Sequence, residues 1–255
     1  IAVKMALKEH NPRQWLTKSS FENALRVMLA VGGSTNAIVH LSAMAGRMGI
    51  SLDLDMLDKF GRDTPVIVDL KPSGQGYMED FDRAGGLIRV LTEIKSLLDL
   101  SAMTVTGETL GEVIKRTELT WPQTVVRKID DPIFSSGGIA VLRGNLAPDG
   151  AIIKQSAASA NLLVHQGRVV VFNRLEDLEK RIDTDDLDVK SDDILVLRNI
   201  GPKGAPGMPE AGLIPIPKKL ARLGVKDMVR ISDGRMSGTA AGTIILHVAP
   251  EAAIG

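Results

Sequence analysis

The 255 residues balance 31 basic against 31 acidic side chains, include no cysteine and hold no apolar run long enough to span a bilayer. A balanced chain has no electrostatic reason to bind nucleic acid or an anionic membrane. Without thiols it forms no disulfide, no thiolate nucleophile and no thiolate-held metal site of its own. The length supports one large or two ordinary domains, and with no signal peptide in view the expected protein is soluble and cytoplasmic. The sequence opens at IAVKMALKEH without a methionine and stops at PEAAIG straight after an apolar run, which reads as cuts through a longer protein.

The first half carries helical periodicity. In SSFENALRVMLAVGG, Ser19 and Glu22 stand at capping-box spacing, Phe21, Leu25, Met28 and Leu29 form one apolar stripe, and Gly32 and Gly33 end the helix. STNAIVHLSAMAGRMG predicts a second helix, capped by Ser34 or Thr35, with Ile38, Leu41, Ala45 and Met48 along one side. PVIVDL (65–70), short and β-branched, predicts a buried strand, and FDRAGGLIRVLTEIKSLLDL returns to helical spacing. Trp121-Pro122 breaks that pattern. From about residue 125 short apolar runs alternate with turn signals: GGIAVLRG, GAIIK, RVVVF, DILVLRNI, DMVRIS and GTIILHVA. Asp149-Gly150 is a strong turn signal, and this spacing of short strands predicts a sandwich or barrel. The expected fold class is α/β plus β, with domains at 1–125 and 126–255. The acidic DTDDLDVKSDD (183–193) reads as a solvated loop or short helix.

Four glycine-rich stretches are candidate sites. In SDGRMSGTAAG (232–242), Ser237 lies between two apolar runs with Asp233 and Arg235 upstream and Thr239 downstream. The flanks are not those of a G-x-S-x-G elbow. A serine acting as base or nucleophile needs a nearby cation or base, for which Arg235 and His247 are available in sequence; a structural turn serine fits the same residues. In GPKGAPGMPE (201–210), backbone N–H groups freed by glycine, together with Lys203, suit an anion, and Glu210 is a hard oxygen donor suited to magnesium; a proline-rich turn explains the stretch equally. GGSTNA (32–37) precedes a helix start, where Ser34, Thr35 and Asn36 either hold a carboxylate or phosphate or serve as caps. KPSGQGYMEDFDRAGG (71–86) is a long polar loop of the kind that meets ligands. The remaining histidines, His10, His40 and His165, lack ligand-like spacing.

The order of these stretches is more specific than any one of them. GGSTNAIVHL, DLKPSGQGYMEDFDRAGG, GGIAVLRGNLAPDGAIIK, GPKGAPGMPE and SDGRMSG together resemble the dihydroxy-acid and sugar-acid dehydratase family over nearly the whole chain. The resemblance implies loss of water from a 2,3-dihydroxy acid to leave a 2-keto acid. It implies an iron–sulfur cluster as Lewis acid on the departing hydroxyl, Mg2+ on the substrate, and a serine alkoxide that removes the C2 proton. Ser237 matches that serine, Glu210 a magnesium ligand, and Arg235, Thr239, Ser34, Thr35 and Asn36 substrate-binding positions. The cluster cysteines and the other magnesium ligands of the family lie upstream of the first motif seen here, so this chain alone is expected to be inactive. The implied fold is the later, helical part of an α/β domain followed by a swivelling-type β-barrel, in a cytoplasmic homodimer or dimer of dimers.

Two details resemble the pentonate branch, which acts on arabinonate or xylonate. Thr239 follows Ser237-Gly238, and Asn199-Ile200 precede Gly201-Pro202-Lys203. The extra hydroxyls of a sugar acid need polar partners. The alternatives are a branched-chain dihydroxy-acid dehydratase, a phosphate- or nucleotide-binding module built on GGSTNA and GPKGAPG, and a homologue without chemistry. No nucleic-acid or membrane partner is expected.

Overall fold

A computed structural model describes all residues except 1, 8–10, 72, 208–212 and 237–241. The chain divides into two compact units, residues 1–137 and 138–255.

The described part of the first unit is helical: α1 (Ala2–Leu7), α2 (Lys18–Ala30), α3 (Asn36–Arg47), α4 (Leu54–Asp63), α5 (Met78–Arg83), α6 (Gly86–Glu93) and α7 (Leu110–Arg116). Helix α2 buries Phe21, Leu25, Met28 and Leu29, the stripe read from the sequence, but starts earlier than Ser19 suggests, with Thr17 as its cap. Thr109 and Glu112 cap α7 reciprocally, the Glu112 N–H on Thr109 at 3.2 Å and the Thr109 N–H on Glu112 at 2.7 Å. Buried Asn23 exchanges two 2.9 Å hydrogen bonds with the backbone of Asp99, fastening α2 to the segment after α6.

Residues 66–68 are buried, as PVIVDL predicts, but they do not form a laddered strand. Val66 N donates to Phe134 O (3.0 Å), Ile67 N to Ala30 O (2.9 Å) and Asp69 N to Val125 O (2.8 Å). The partners come from separate segments, so only single bridges form. This extended thread, with Val90, Leu91, Ile94 and Leu110, makes the core of the unit.

The second unit holds β1 (Ile139–Gly144), β2 (Ala147–Lys154), β3 (Val169–Phe172), α8 (Leu175–Arg181), β4 (Ile194–Leu197), α9 (Lys218–Arg222), β5 (Arg230–Ser232) and β6 (Ile244–Ala249). Each apolar run of the second half supplies one strand. Their sheet order is β1-β2-β6-β5-β4-β3, antiparallel from β1 to β6 and parallel from β6 to β3. Among the described residues the sheet stays open with β1 and β3 at its edges, where the sequence led us to expect a sandwich or barrel. The physical reason is the parallel half. Its β3–β4 and β4–β5 crossovers carry α8 and α9, which lay Leu178 and Leu220 over Val170, Phe172, Leu195, Leu197, Ile244 and Leu246. The opposite face, with Val169, Val171, Val196 and Ile231, borders a hollow of about 620 Å3.

Asp149-Gly150 is not the turn between β1 and β2. The chain reverses at 145–146, and Gly150, with φ of 108°, sits inside β2 where the β2–β6 register shifts. Leu246 faces Ile152 and Ala249 faces Gly150, so His247 and Val248 together oppose Ala151. This is a β-bulge, and it breaks the alternation of β6: Ile244 and Leu246 join the helix-covered core, while Val248 packs with Ala147, Ala151, Ile231 and Ile245. No helix among the described residues is long and apolar enough to cross a membrane.

Leu195 is fully buried at the centre of the parallel half. Leu195→Ala is expected to destabilise the second unit by about 2–5 kcal/mol, read as a lower urea midpoint at unchanged slope.

Candidate active site

Parallel strands β4 and β5 end level with one another, Leu197 opposite Ser232. The chain leaving β4 becomes the 198–217 connection, which includes GPKGAPGMPE, and the chain leaving β5 becomes SDGRMSG. Two loops leaving neighbouring carboxyl ends of parallel strands are where open α/β sheets place their ligand sites. Sequence order alone does not show this adjacency.

Asp233, the second residue of SDGRMSG, is buried and ties the two loops at their start. Its carboxylate accepts from Asn199 N (2.9 Å), Ile200 N (3.0 Å) and Ala252 N (3.1 Å). Asn199 takes a left-handed conformation, φ 63°, to present that N–H. Glu251 accepts from Lys203 N (2.7 Å) and Gly204 N (3.1 Å). The sequence suggested that these glycine-rich N–H groups would be free for an external anion; at 203 and 204 the anion is the protein's own Glu251.

Arg235 and His247 meet at the root of SDGRMSG. The bulge in β6 puts His247 at φ 55°, with its N–H on Gly234 O (3.2 Å). His247 Nε2 and Arg235 Nε are both buried without a hydrogen-bond partner among the described residues. Burial, reinforced by the charge of Arg235, pushes the imidazole pKa down to about 4, so His247 is neutral near pH 7. A guanidinium beside a neutral imidazole, each with an unused nitrogen, favours an anionic or hydroxyl-bearing group.

In the first unit, Ser34, Thr35 and Asn36 lie at the start of α3. Ser34 Oγ accepts from Asn36 N (3.2 Å), while the buried Thr35 Oγ1 makes no cap bond and has no partner among the described residues. The same residues thus divide between the capping and the ligand readings. His40 is exposed and His165 bonds Asp192 O (2.8 Å), neither in a site. The acidic run 183–193 is tied up in ion pairs: Arg168 with Asp188 (2.5 Å) and Asp193 (2.8 Å), and Lys218 with Asp183 (2.7 Å). In the 71–86 loop, Asp69 accepts from Gln75 N at 2.7 Å, closing the turn on itself.

Ser237, Thr239 and Glu210 lie outside the described residues. Among the described residues no group of three His, Asp or Glu side chains could hold a metal ion, and Arg235 beside SDGRMSG suits an anion. Sequence reasoning missed Asp227 and Arg230. The available signal was a charged pair inside the apolar run DMVRIS, since a charge in a buried strand demands a partner.

Residues 1–113 match the family profile described as Dihydroxy-acid/6-phosphogluconate dehydratase N-terminal, and residues 124–255 the corresponding C-terminal profile. The chain is 51% identical over 255 residues to an L-arabinonate dehydratase of Rhizobium leguminosarum bv. trifolii, covering 99% of this chain and 44% of that protein. It is 50% identical to an L-arabonate dehydratase of Azospirillum brasilense, with 99% and 44% covered. It is 43% identical to a dihydroxy-acid dehydratase of Methanothrix thermoacetophila, with 99% and 46% covered. The chain therefore spans less than half the length of these relatives.

Neutral His247 makes stability depend on pH. The folded imidazole titrates near 4 and the unfolded one near 6.5, so the unfolded chain takes up the proton first as pH falls. His247 burial is fully tolerated above about pH 6.5 and loses about 1.4 kcal/mol per pH unit down to about pH 4. His247→Asn, which keeps a residue tolerant of positive φ, is expected to remove this component. The check is the wild-type minus variant difference in Tm between pH 4 and 7.

Proposed function

This chain belongs to the dihydroxy-acid/6-phosphogluconate dehydratase family, and from that premise we propose that it carries part of the active site of a hydro-lyase for a sugar acid of the pentonate type. The supporting observation is a gradation in similarity. Relatives named for arabinonate are 51% and 50% identical, against 43% for the dihydroxy-acid dehydratase quoted with them. Thr239 and Asn199-Ile200, the positions that resemble the pentonate branch, point the same way.

The reaction removes the C2 proton and the C3 hydroxyl of a 2,3-dihydroxy acid. The resulting enol ketonises to a 2-keto-3-deoxy acid. Ser237 is the proposed base. A serine serves so only where cations and N–H donors stabilise its oxyanion, and Arg235 brings a positive charge to the root of that loop, beside a histidine that stays neutral. Among the described residues the unused Nε–H of Arg235 is a donor suited to a substrate carboxylate or hydroxyl, the neutral His247 Nε2 donates to or accepts from a hydroxyl according to its tautomer, and Thr239 adds a hydroxyl for the extra polar groups of a sugar. Ser34, Thr35 and Asn36 are proposed as further substrate contacts, supported by the buried, unpartnered Thr35 hydroxyl at the positive end of α3.

Of the two inorganic groups that the resemblance implies, the iron–sulfur cluster finds no thiolate in this sequence, so these residues do not fit it. Mg2+ would have Glu210 as its proposed ligand here, an oxygen donor of the right hardness. Neither group enters the steps assigned to Ser237, Arg235 and His247. The second unit is proposed to contribute to the swivelling-type barrel domain. A homodimer or dimer of dimers and a cytoplasmic location belong to the same proposal and rest on the resemblance alone.

The test is 2-keto-acid formation by the full-length protein, purified without oxygen and supplied with Mg2+, from arabinonate, xylonate and 2,3-dihydroxyisovalerate. Turnover of a pentonate is expected, with Ser237→Ala lowering kcat at least a thousandfold, as loss of a proton-transferring group does. Turnover of the branched acid alone would move the chain to the amino-acid branch. An active Ser237→Ala would sink the base assignment.

A further inference from the structure

The loop after β4 and the loop after β5 are anchored at their far ends as well as at their near ends, and through a different set of groups. Arg230 is 3% exposed on β5. Its guanidinium donates to Ile214 O (3.1 Å), just past Glu210, and to Asp227 (2.8 Å). Asp227 in turn accepts from Thr243 N (2.9 Å) and the Thr243 hydroxyl (2.8 Å), just past the SDGRMSG loop, and from Ser159 Oγ (2.7 Å). Arg230 N also donates to Thr243 O (3.0 Å). The chain passes so close to this pair that residue 242 can carry no side chain. A Cβ on Gly242 would overlap the guanidinium of Arg230 and stand 2.9 Å from Asp227, and its φ of 117° is one that other residues resist. Gly242 N is held by Ala157 O at 2.7 Å.

A nearly buried carboxylate paired with a buried guanidinium is more than is needed to close a strand pair, since an apolar pair of equal volume would serve the core as well or better. What they add is direction. One guanidinium fixes a carbonyl of the first loop, and its partner carboxylate fixes an N–H and a hydroxyl of the second. Asp233 does the same at the near ends, joining Asn199 and Ile200 to the start of SDGRMSG.

We infer that Asp227 and Arg230 are positioning residues that act as one clamp, holding Ile214 and Thr243, where the two loops return to described chain, in fixed register, with Asp233 as the matching clamp at the near ends. The functional part rests on the proposed roles of Ser237 and Glu210. The mechanical part, that disturbing one loop's anchor releases both loops, stands without them. A displacement of either group by about 1 Å is enough to cost about a hundredfold in rate.

The experiment pairs hydrogen–deuterium exchange with kinetics on the full-length protein, comparing wild type, Arg230→Lys, Asp227→Asn and Thr243→Val. Lysine keeps the charge but lacks the fork that reaches Ile214 and Asp227 together. Thr243→Val removes only a hydroxyl and keeps the fold testable if the charge variants do not fold. Arg230→Lys and Asp227→Asn are expected to raise exchange at least tenfold in peptides covering 201–216 and 233–243 together, leaving β3 and α8 as protected as before. The pentonate kcat should fall about tenfold or more with KM changed less than threefold, and Thr243→Val should show the same pattern more weakly. Release of one loop alone, or a uniform rise across the second unit, overturns the clamp. A wild-type kcat in a variant whose two loops both exchange faster overturns the positioning role and leaves the mechanical part standing. If wild type turns over none of the acids, the functional reading fails while the exchange pattern still decides the clamp.

Discussion

The geometry of the second unit turns on buried carboxylates at the ends of parallel strands. A carboxylate taken out of water is costly unless its oxygens are filled with donors; Asp233 fills its oxygens with backbone N–H groups of 199, 200 and 252, and Asp227 with Thr243 N and the side chains of Thr243, Ser159 and Arg230. Burial alone would raise the pKa of Asp227. The hydrogen bonds from Ser159 and Thr243 and the charge of Arg230 outweigh it and hold the group below the ordinary aspartate value, hence ionised. Charge-assisted bonds of this kind contribute about 1.5–3 kcal/mol each, enough to fix loops whose glycines and prolines would otherwise leave many conformations open. The same requirement explains the glycines. A chain that must bring several N–H groups to one carboxylate needs backbone angles and close approaches that side chains obstruct.

The sequence made much of this legible, and the failures have identifiable causes. The strands of the second unit were readable one by one, because β-branched runs such as RVVVF and DILVL stand between clear breaks. Their order was not, since β5 and β6 pair in parallel through a connection that contains no helix among its described residues, and no local pattern encodes that choice. Asp149-Gly150 misled because glycine with positive φ serves bulges as well as turns, and the real reversal at 145–146 carries a leucine. PVIVDL was read correctly as buried and wrongly as a strand, because burial is written in the side chains whereas a ladder depends on a partner elsewhere in the chain. Helices came through best: the α2 stripe is a property of spacing alone.

The candidate site was legible as a set of stretches and not as an arrangement. Ser34, Thr35, Asn36 and Arg235 could be picked out by type, yet what Arg235 touches depends on a bulge in β6 that turns His247 toward it. Lys203 and Gly204 looked open to an anion, but the nearest one is Glu251, far along the chain. Asp227 and Arg230 were visible all along as charges within an apolar run. Their meaning depended on which carbonyl and which N–H the fold would bring to them.

The root of SDGRMSG combines tight anchoring with unmet need. Asn199 and His247 hold backbone angles that non-glycine residues adopt at a cost of about 1–3 kcal/mol each, and the buried nitrogens of Arg235 and His247 forgo hydrogen bonds worth a similar amount. Packing does not require these costs. An apolar residue in place of His247 would leave no orphan nitrogen. A ligand would relieve part of the cost: a carboxylate or hydroxyl oxygen meeting Arg235 supplies its missing acceptor. Because Asn199, Ile200, Ile214 and Thr243 are anchored before any ligand arrives, these residues need no ordering on binding, and more of the interaction is left to stabilise what forms on the ligand.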